Sequence, residues 1–333
     1  MKSYRGMMGA VALAALIAAA GFMARADEPI PTTPEPGGFK IGTEPWLGYG
    51  QWDVADSKGF FKEHGLDGVQ LVNFTEDKDL NAALASGQID GANVATHTAM
   101  VMAAAGLPIK ILMLLDFSLK ADAIISVDVN SVADMRGKQV AFEEGTTSDI
   151  LINYALQKNG MTIADVTKVP MPAADAGAAL IAGKVPVAVT YEPYLTTAMQ
   201  QNAKAKLIFT AGEDPGLISD VFVVRSDVLA KRPGQVLALL KSWDEGLAYY
   251  RAHTDDGQAI IAKAVGDTPA NLKTAFDGVR FYSLAENAQH LTSDFTTTTA
   301  ADVMQAAKKA GILTSDVDVA GLIDGRFLKA ATQ

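Results

Sequence analysis

Cysteine is absent from this chain, and only four histidines are scattered along it, at positions 64, 97, 253 and 290. The first absence excludes disulfides, a thiol nucleophile and a lipid-modified cysteine after an export signal. The second leaves no histidine pair at metal-ligand spacing, and no Gly-x-Ser-x-Gly elbow takes its place. No metal and no cofactor is therefore expected. Basic residues are outnumbered 28 to 38, a net charge of −10, so nucleic acid and anionic lipid are poor partners. Past residue 26 no apolar run reaches the length of a membrane span.

What is present begins with a targeting pattern. Lys2 and Arg5 precede an apolar run from Met7 to Met23, and Ala24-Arg25-Ala26 offers a small-x-small cleavage site. Residues 1–26 read as a signal peptide cleaved after Ala26, so the mature chain is exported and more acidic still. Residues 27–38, rich in Pro, Glu and Thr, read as a flexible leader.

The folded part carries a faint duplication. Ala82-Ala83-Leu84-Ala85-Ser86-Gly87 leads into Gln88-Ile89-Asp90-Gly91-Ala92, as Ala178-Ala179-Leu180-Ile181-Ala182-Gly183 leads into Lys184-Val185-Pro186-Val187-Ala188. Each copy reads as a helix end, a glycine cap and a buried strand. Lys40-Ile41-Gly42-Thr43-Glu44 matches Gln139-Val140-Ala141-Phe142-Glu143 at nearly the same offset, and Ala121-Asp122 matches Ser219-Asp220. Two similar α/β lobes follow, with mainly parallel sheets flanked by helices and strand-end loops facing across a cleft. Strands are expected near 39–43, 69–73, 91–95, 109–115, 138–142, 166–170, 187–191 and 206–210, with 123–127 and 219–224 crossing between lobes. Helices are expected near 52–63, 78–86, 97–105, 147–159, 174–182 and 193–201, then at 233–252, 256–265, 269–276, 285–288 and 298–310. Lobe one takes residues 39–122 and 225–333, and lobe two takes 123–224.

Several segments together resemble a known family. Gly59-Phe60-Phe61-Lys62-Glu63-His64-Gly65-Leu66, Ala85-Ser86-Gly87-Gln88-Ile89-Asp90, Asp134-Met135-Arg136-Gly137-Lys138 and Tyr191-Glu192-Pro193-Tyr194 are similar to the nitrate/sulfonate/taurine (SsuA-like) group of periplasmic binding proteins, over about residues 39–251. Thr43-Glu44-Pro45-Trp46-Leu47-Gly48-Tyr49-Gly50 and Phe142-Glu143-Glu144-Gly145-Thr146-Thr147-Ser148-Asp149 resemble a subgroup that accompanies urea-carboxylase-related enzymes and guanidine use. The resemblance implies a type II periplasmic-binding-protein fold that closes on one small ligand. It implies delivery to an ABC transporter permease in the inner membrane, and a monomer working in the periplasm.

The candidate site lies on the loops that follow the strands. Glu44, Trp46, Tyr49, Thr96 and Asp116 are chosen from the first lobe, and Glu143, Thr146, Thr147, Tyr191, Glu192 and Asp220 from the second and its crossing strand. Glu192, between two aromatics ahead of a helix, is the strongest single choice. No arginine sits on these loops, whereas anion sites place Arg, Lys or bare helix N-termini there. Carboxylates with aromatic faces suit a planar cation such as guanidinium. Each residue also has a plainer reading: Glu143 as a first-turn helix acid, Thr146 and Thr147 as caps, the others as core or loop residues. Binding of a sulfonate, taurine or nitrate, or of a thiamine pyrimidine precursor, stays open. Paired carboxylates also suit acid–base chemistry, but the missing nucleophile and metal motifs favour a binder over an enzyme.

Overall fold

The computed structural model describes residues 29–333, so the signal-peptide reading over 1–26 lies outside the described residues. Its strands, in chain order, are β1 (Phe39–Thr43), β2 (Val69–Asn73), β3 (Gly91–Ala95), β4 (Ile109–Ser118), β5 (Asp122–Ser126), β6 (Gln139–Phe142), β7 (Thr167–Pro170), β8 (Val187–Tyr191), β9 (Lys206–Thr210), β10 (Ser219–Arg225) and β11 (Val279–Phe281). They form two sheets, ordered β11-β4-β10-β3-β1-β2 and β7-β6-β8-β5-β9.

The sequence duplication becomes a topological one. β1 pairs in parallel with β2 and β3, through Ile41↔Gly91 and Gly42↔Ala92, and β6 pairs in the same way with β7 and β8, through Val140↔Val187 and Ala141↔Ala188. In each sheet the place beside that third strand goes to a strand running the other way. β10 lies antiparallel between β3 and β4, and β5 lies antiparallel between β8 and β9. The chain therefore crosses twice, and each half places its fifth strand in the other half's sheet. These exchanged strands are buried along nearly their whole length, as the unbroken apolar runs of Ile124-Ile125 and Val221-Phe222-Val223-Val224 require. The strand expected to end lobe two, at 219–224, is thus an interior strand of the first sheet.

Helices fill the connections close to where the apolar periodicity puts them. The run expected as one helix over 52–63 breaks into Gln51–Lys58 and Phe60–Glu63, because Gly59 turns left-handed at φ 85°. The helix expected over 269–276 stops at Leu272 and ends in a tighter turn at Phe276–Gly278. The short helices Ser226–Lys231, Val319–Leu322 and Arg326–Ala331, and the three-residue β11, carry too little pattern to be read from sequence.

The longest helix, Pro233–Ala252, has proline in its first turn and packs Trp243 against Trp52, ring centroids 5.0 Å apart. Its approach to Gln51–Lys58 is so close that a Cβ on Gly246 would meet the Gln51 carbonyl oxygen at 2.6 Å. The segment expected to be a loose leader helps to fix this helix. The Glu35 carboxylate accepts from the Gly234 and Gln235 amides at 3.1 and 2.9 Å, favoured by the positive end of the helix dipole. The Gln235 side-chain amide donates in turn to the Glu35 and Gly37 carbonyls at 2.7 and 2.6 Å. Among the described residues no helix is long and apolar enough to cross a membrane.

Candidate functional site

A cavity of about 40 Å³ lies between the two sheets. The first sheet's side contributes Glu44, Trp46 and Tyr49 from the loop after β1, Asp77 and Asn81 from the helix Asp77–Ser86, and Asp220 from β10. From the second sheet come Asp122 at the start of β5, Glu143 after β6, Thr146 and Thr147 at the start of the helix Thr147–Lys158, and Tyr191 at the end of β8. The remaining wall includes the apolar side chains Leu80, Val94 and Ile218. Five lining residues are acids, and none is lysine or arginine.

That charge pattern moves every carboxyl the same way. Burial, and after it the neighbouring Asp77, Glu143 and Asp220, push the Glu44 carboxyl far above the ordinary range. Asp77 is raised by burial as well, against its hydrogen bond with Glu44. Burial raises Asp122 to about 7, against the hydrogen bonds from Ser118 and Thr147. Glu143 also rises to about 7, through burial and the nearby Asp77, although it accepts from the Ala173 amide at 3.1 Å. His97 is buried and pushed down to about 4, so its neutral ring, 3.3 Å from the Gly145 carbonyl, adds no positive charge.

The polar atoms of the lining are unevenly satisfied. Glu44 Oε1 and Asn81 Oδ1 are buried and have no hydrogen-bond partner, and both are acceptors. Two of the hydroxyls, by contrast, are engaged. Tyr49 donates to Asp220 at 3.0 Å, and Thr146 donates to the Glu143 carbonyl at 3.0 Å while capping its helix through the Ser148 amide. The Trp46 indole N–H points down to both oxygens of Asp116, at 3.2 and 3.3 Å, and its ring meets the edge of Tyr191 at 88°, with centroids 5.9 Å apart. The tight turn between them needs Gly48, since a Cβ there would collide with the Asp116 carboxylate and the Trp46 indole nitrogen.

Eight of the eleven residues chosen from sequence line the cavity: Glu44, Trp46, Tyr49, Glu143, Thr146, Thr147, Tyr191 and Asp220. Three stand elsewhere. Asp116 lies one layer beneath, opposite Asp220 on the adjacent strand, where it orients Trp46. Thr96 turns to Ser219, with hydroxyls 2.8 Å apart, and ties the end of β3 to β10, while Thr98 reaches the cavity instead. Glu192 is the main correction. Because the next helix starts only at Tyr194, its carboxylate folds forward to accept from the Thr196 amide at 3.0 Å and the Thr196 hydroxyl at 2.9 Å. It holds a helix start and faces away from the cavity. Glu192→Ala is expected to cost about 1–2 kcal/mol in chemical denaturation, as lost helix caps do, and to leave ligand affinity within about twofold.

The sequence reading missed Asp77, Asn81 and Asp122. Asp122 had a visible signal, because the duplication aligns it with Asp220. Asp77 looks like an ordinary first-turn acid, and Asn81 like a surface residue of its helix.

Two sheets of matching topology that exchange one strand each, with a small cavity between them, define the periplasmic-binding-protein fold. The chain belongs to the NMT1/THI5-like family, whose profile matches residues 52–256. It is 26% identical over 245 residues to a protein of Brucella abortus (strain 2308) named as a binding protein, covering 72% of each chain. It is 24% identical over 301 residues, 84% of each chain, to a Bacillus subtilis (strain 168) protein named as an aliphatic sulfonates-binding protein. Among solved structures, the alkanesulfonate-binding protein SsuA from Xanthomonas axonopodis pv. citri, bound to MOPS, superposes with a TM-score of 0.71 at 19% identity, covering 87% of this chain and 99% of that one.

Proposed function

We propose that this protein is the periplasmic solute-binding component of an ABC importer, and that it captures a small organic cation, guanidinium above others, and hands it to a permease in the inner membrane. The transport role is supported by the family, by relatives named as binding proteins and by the N-terminal targeting pattern. The cation reading rests on one observation: five carboxyls and no basic side chain line the cavity, and two of its buried acceptors, Glu44 Oε1 and Asn81 Oδ1, have no hydrogen-bond partner. A guanidinium ion carries only donors, spread in one plane, and its weakly hydrated faces suit the Trp46 and Tyr191 walls.

The same lining argues against a sulfonate or nitrate, for which it offers no basic partner. No three acids or histidines among the described residues converge as metal ligands, which favours an organic cation over a metal ion. No turnover is expected, and one protein binds one ligand as a monomer.

Thermal unfolding of the signal-less protein with guanidinium, methylguanidinium, urea, taurine, nitrate and an alkanesulfonate, each near 1 mM, tests this reading. A ligand at about 100 times its Kd adds roughly 2.7 kcal/mol, a rise of several degrees. The rise is expected with guanidinium and not with the anions. A rise with taurine or nitrate alone would reverse the assigned charge of the site.

A further inference from the structure

The cavity leaves one uncharged acceptor without a partner, and nothing in the resting fold explains it. Asn81 lies one turn beyond Asp77 on the helix Asp77–Ser86, so both project from the same face. Its Oδ1 is buried and unbonded. Such an atom costs stability, and folded proteins keep few of them. The other unpartnered acceptor of the lining, Glu44 Oε1, comes from a different element, the loop after β1. The two approach the same small space from separate directions. Asn81 also lines the acidic vestibule next to the cavity, where Asp77, Glu143 and Thr146 border both spaces. A ligand that enters through this vestibule passes Asn81 on its way in.

We infer that Asn81 is a ligand-recognition residue, whose side-chain carbonyl accepts one N–H of the bound cation while Glu44 accepts another. This rests on the cation reading above and extends it to selectivity. Acceptors that converge from the helix, from the loop after β1 and from the second sheet match an ion that presents N–H groups on three edges. An ion that offers donors on one side only leaves the Asn81 carbonyl unmet.

Calorimetric titration of guanidinium into three forms tests the assignment, with melting of each ligand-free form as the second readout. Asn81→Leu, close in shape but without the acceptor, is expected to bind about tenfold to a hundredfold more weakly than wild type. Its ligand-free melting temperature is expected to stay level or rise, since an unmet buried acceptor is gone. Asn81→Asp keeps the acceptor and loses the amide donors, and is expected to bind within a few-fold of wild type or tighter. Equal binding by wild type and Asn81→Leu would overturn the assignment and leave the cation reading intact. So would a drop in ligand-free melting temperature shared by both variants, the mark of a structural role. Failure of the wild-type protein itself to bind guanidinium would instead overturn the parent reading.

Discussion

Guanidinium affinity is expected to fall about tenfold between pH 8 and pH 6, and about a hundredfold by pH 5. The ion keeps its charge over this range, so the titration belongs to the protein. Asp122 and Glu143 are raised to about 7, and Glu44 and Asp220 also stand above their ordinary values, in each case chiefly through burial among like charges. A cation that needs these groups ionised competes with their protons. For one displaced proton at a pKa near 7 the apparent Kd grows about tenfold per pH unit below 7. Titration in buffers of different ionisation enthalpy would count the protons released on binding. An affinity that stays flat from pH 5 to 8 would remove the carboxyls from the binding step.

The same groups fix the pH dependence of the empty protein, with the opposite slope. Their folded pKa values lie above the unfolded values near 4, so the folded state holds more protons in between. The stability they contribute is complete below about pH 4 and is lost as pH rises through 7. Surface acids whose values are lowered by hydrogen bonds and by Arg or Lys partners, such as Asp165 and Asp256, act the other way at lower pH. The ligand-free melting temperature is therefore expected to be highest near pH 5 and to decline toward pH 8. Saturating guanidinium should offset much of that decline.

Trp46→Ala is expected to be the most damaging single change to the site. The indole is 6% exposed, and deleting a buried tryptophan costs about 3–5 kcal/mol. It also takes an aromatic wall from the ligand, worth about 2 kcal/mol for a desolvated cation, or roughly thirtyfold in affinity. Trp46→Phe separates the two roles of the side chain. It keeps a ring beside Tyr191 and deletes the N–H that Asp116 accepts, so a smaller loss of affinity is expected, under about tenfold. Asp116, already raised by burial and by Asp220, would lose a hydrogen bond that lowers it. Denaturant melts paired with guanidinium titrations measure both effects. A folded Trp46→Ala protein with wild-type affinity would place the ligand away from this wall.

The architecture was legible because it is written twice. A match between two stretches about a hundred residues apart gave both halves, and buried apolar runs gave the strands that join them. The site was legible where a loop follows a strand, as at Glu44-Pro45-Trp46 and Glu143. It was not legible where direction depends on one backbone step. Glu192 sits at a strand end as required, but the helix start two residues on claims its carboxylate. Asn81 has no local mark at all, because Glu44, the other unpartnered acceptor of the lining, is 37 residues away in sequence and comes near only once β1 and β2 have paired. Asp122 shows the opposite: the duplication that aligned it with Asp220 carried enough information to find it.

The exchange of strands also sets when ligand capture becomes possible during synthesis. A chain that has emerged only as far as residue 210 can complete its second sheet, yet its first sheet still lacks β10, the interior strand between β3 and β4. Asp220, which Tyr49 must reach across 171 residues of sequence, has not arrived. A chain cut at residue 210 therefore lacks both an interior strand and one wall of the cavity, whatever local structure it holds.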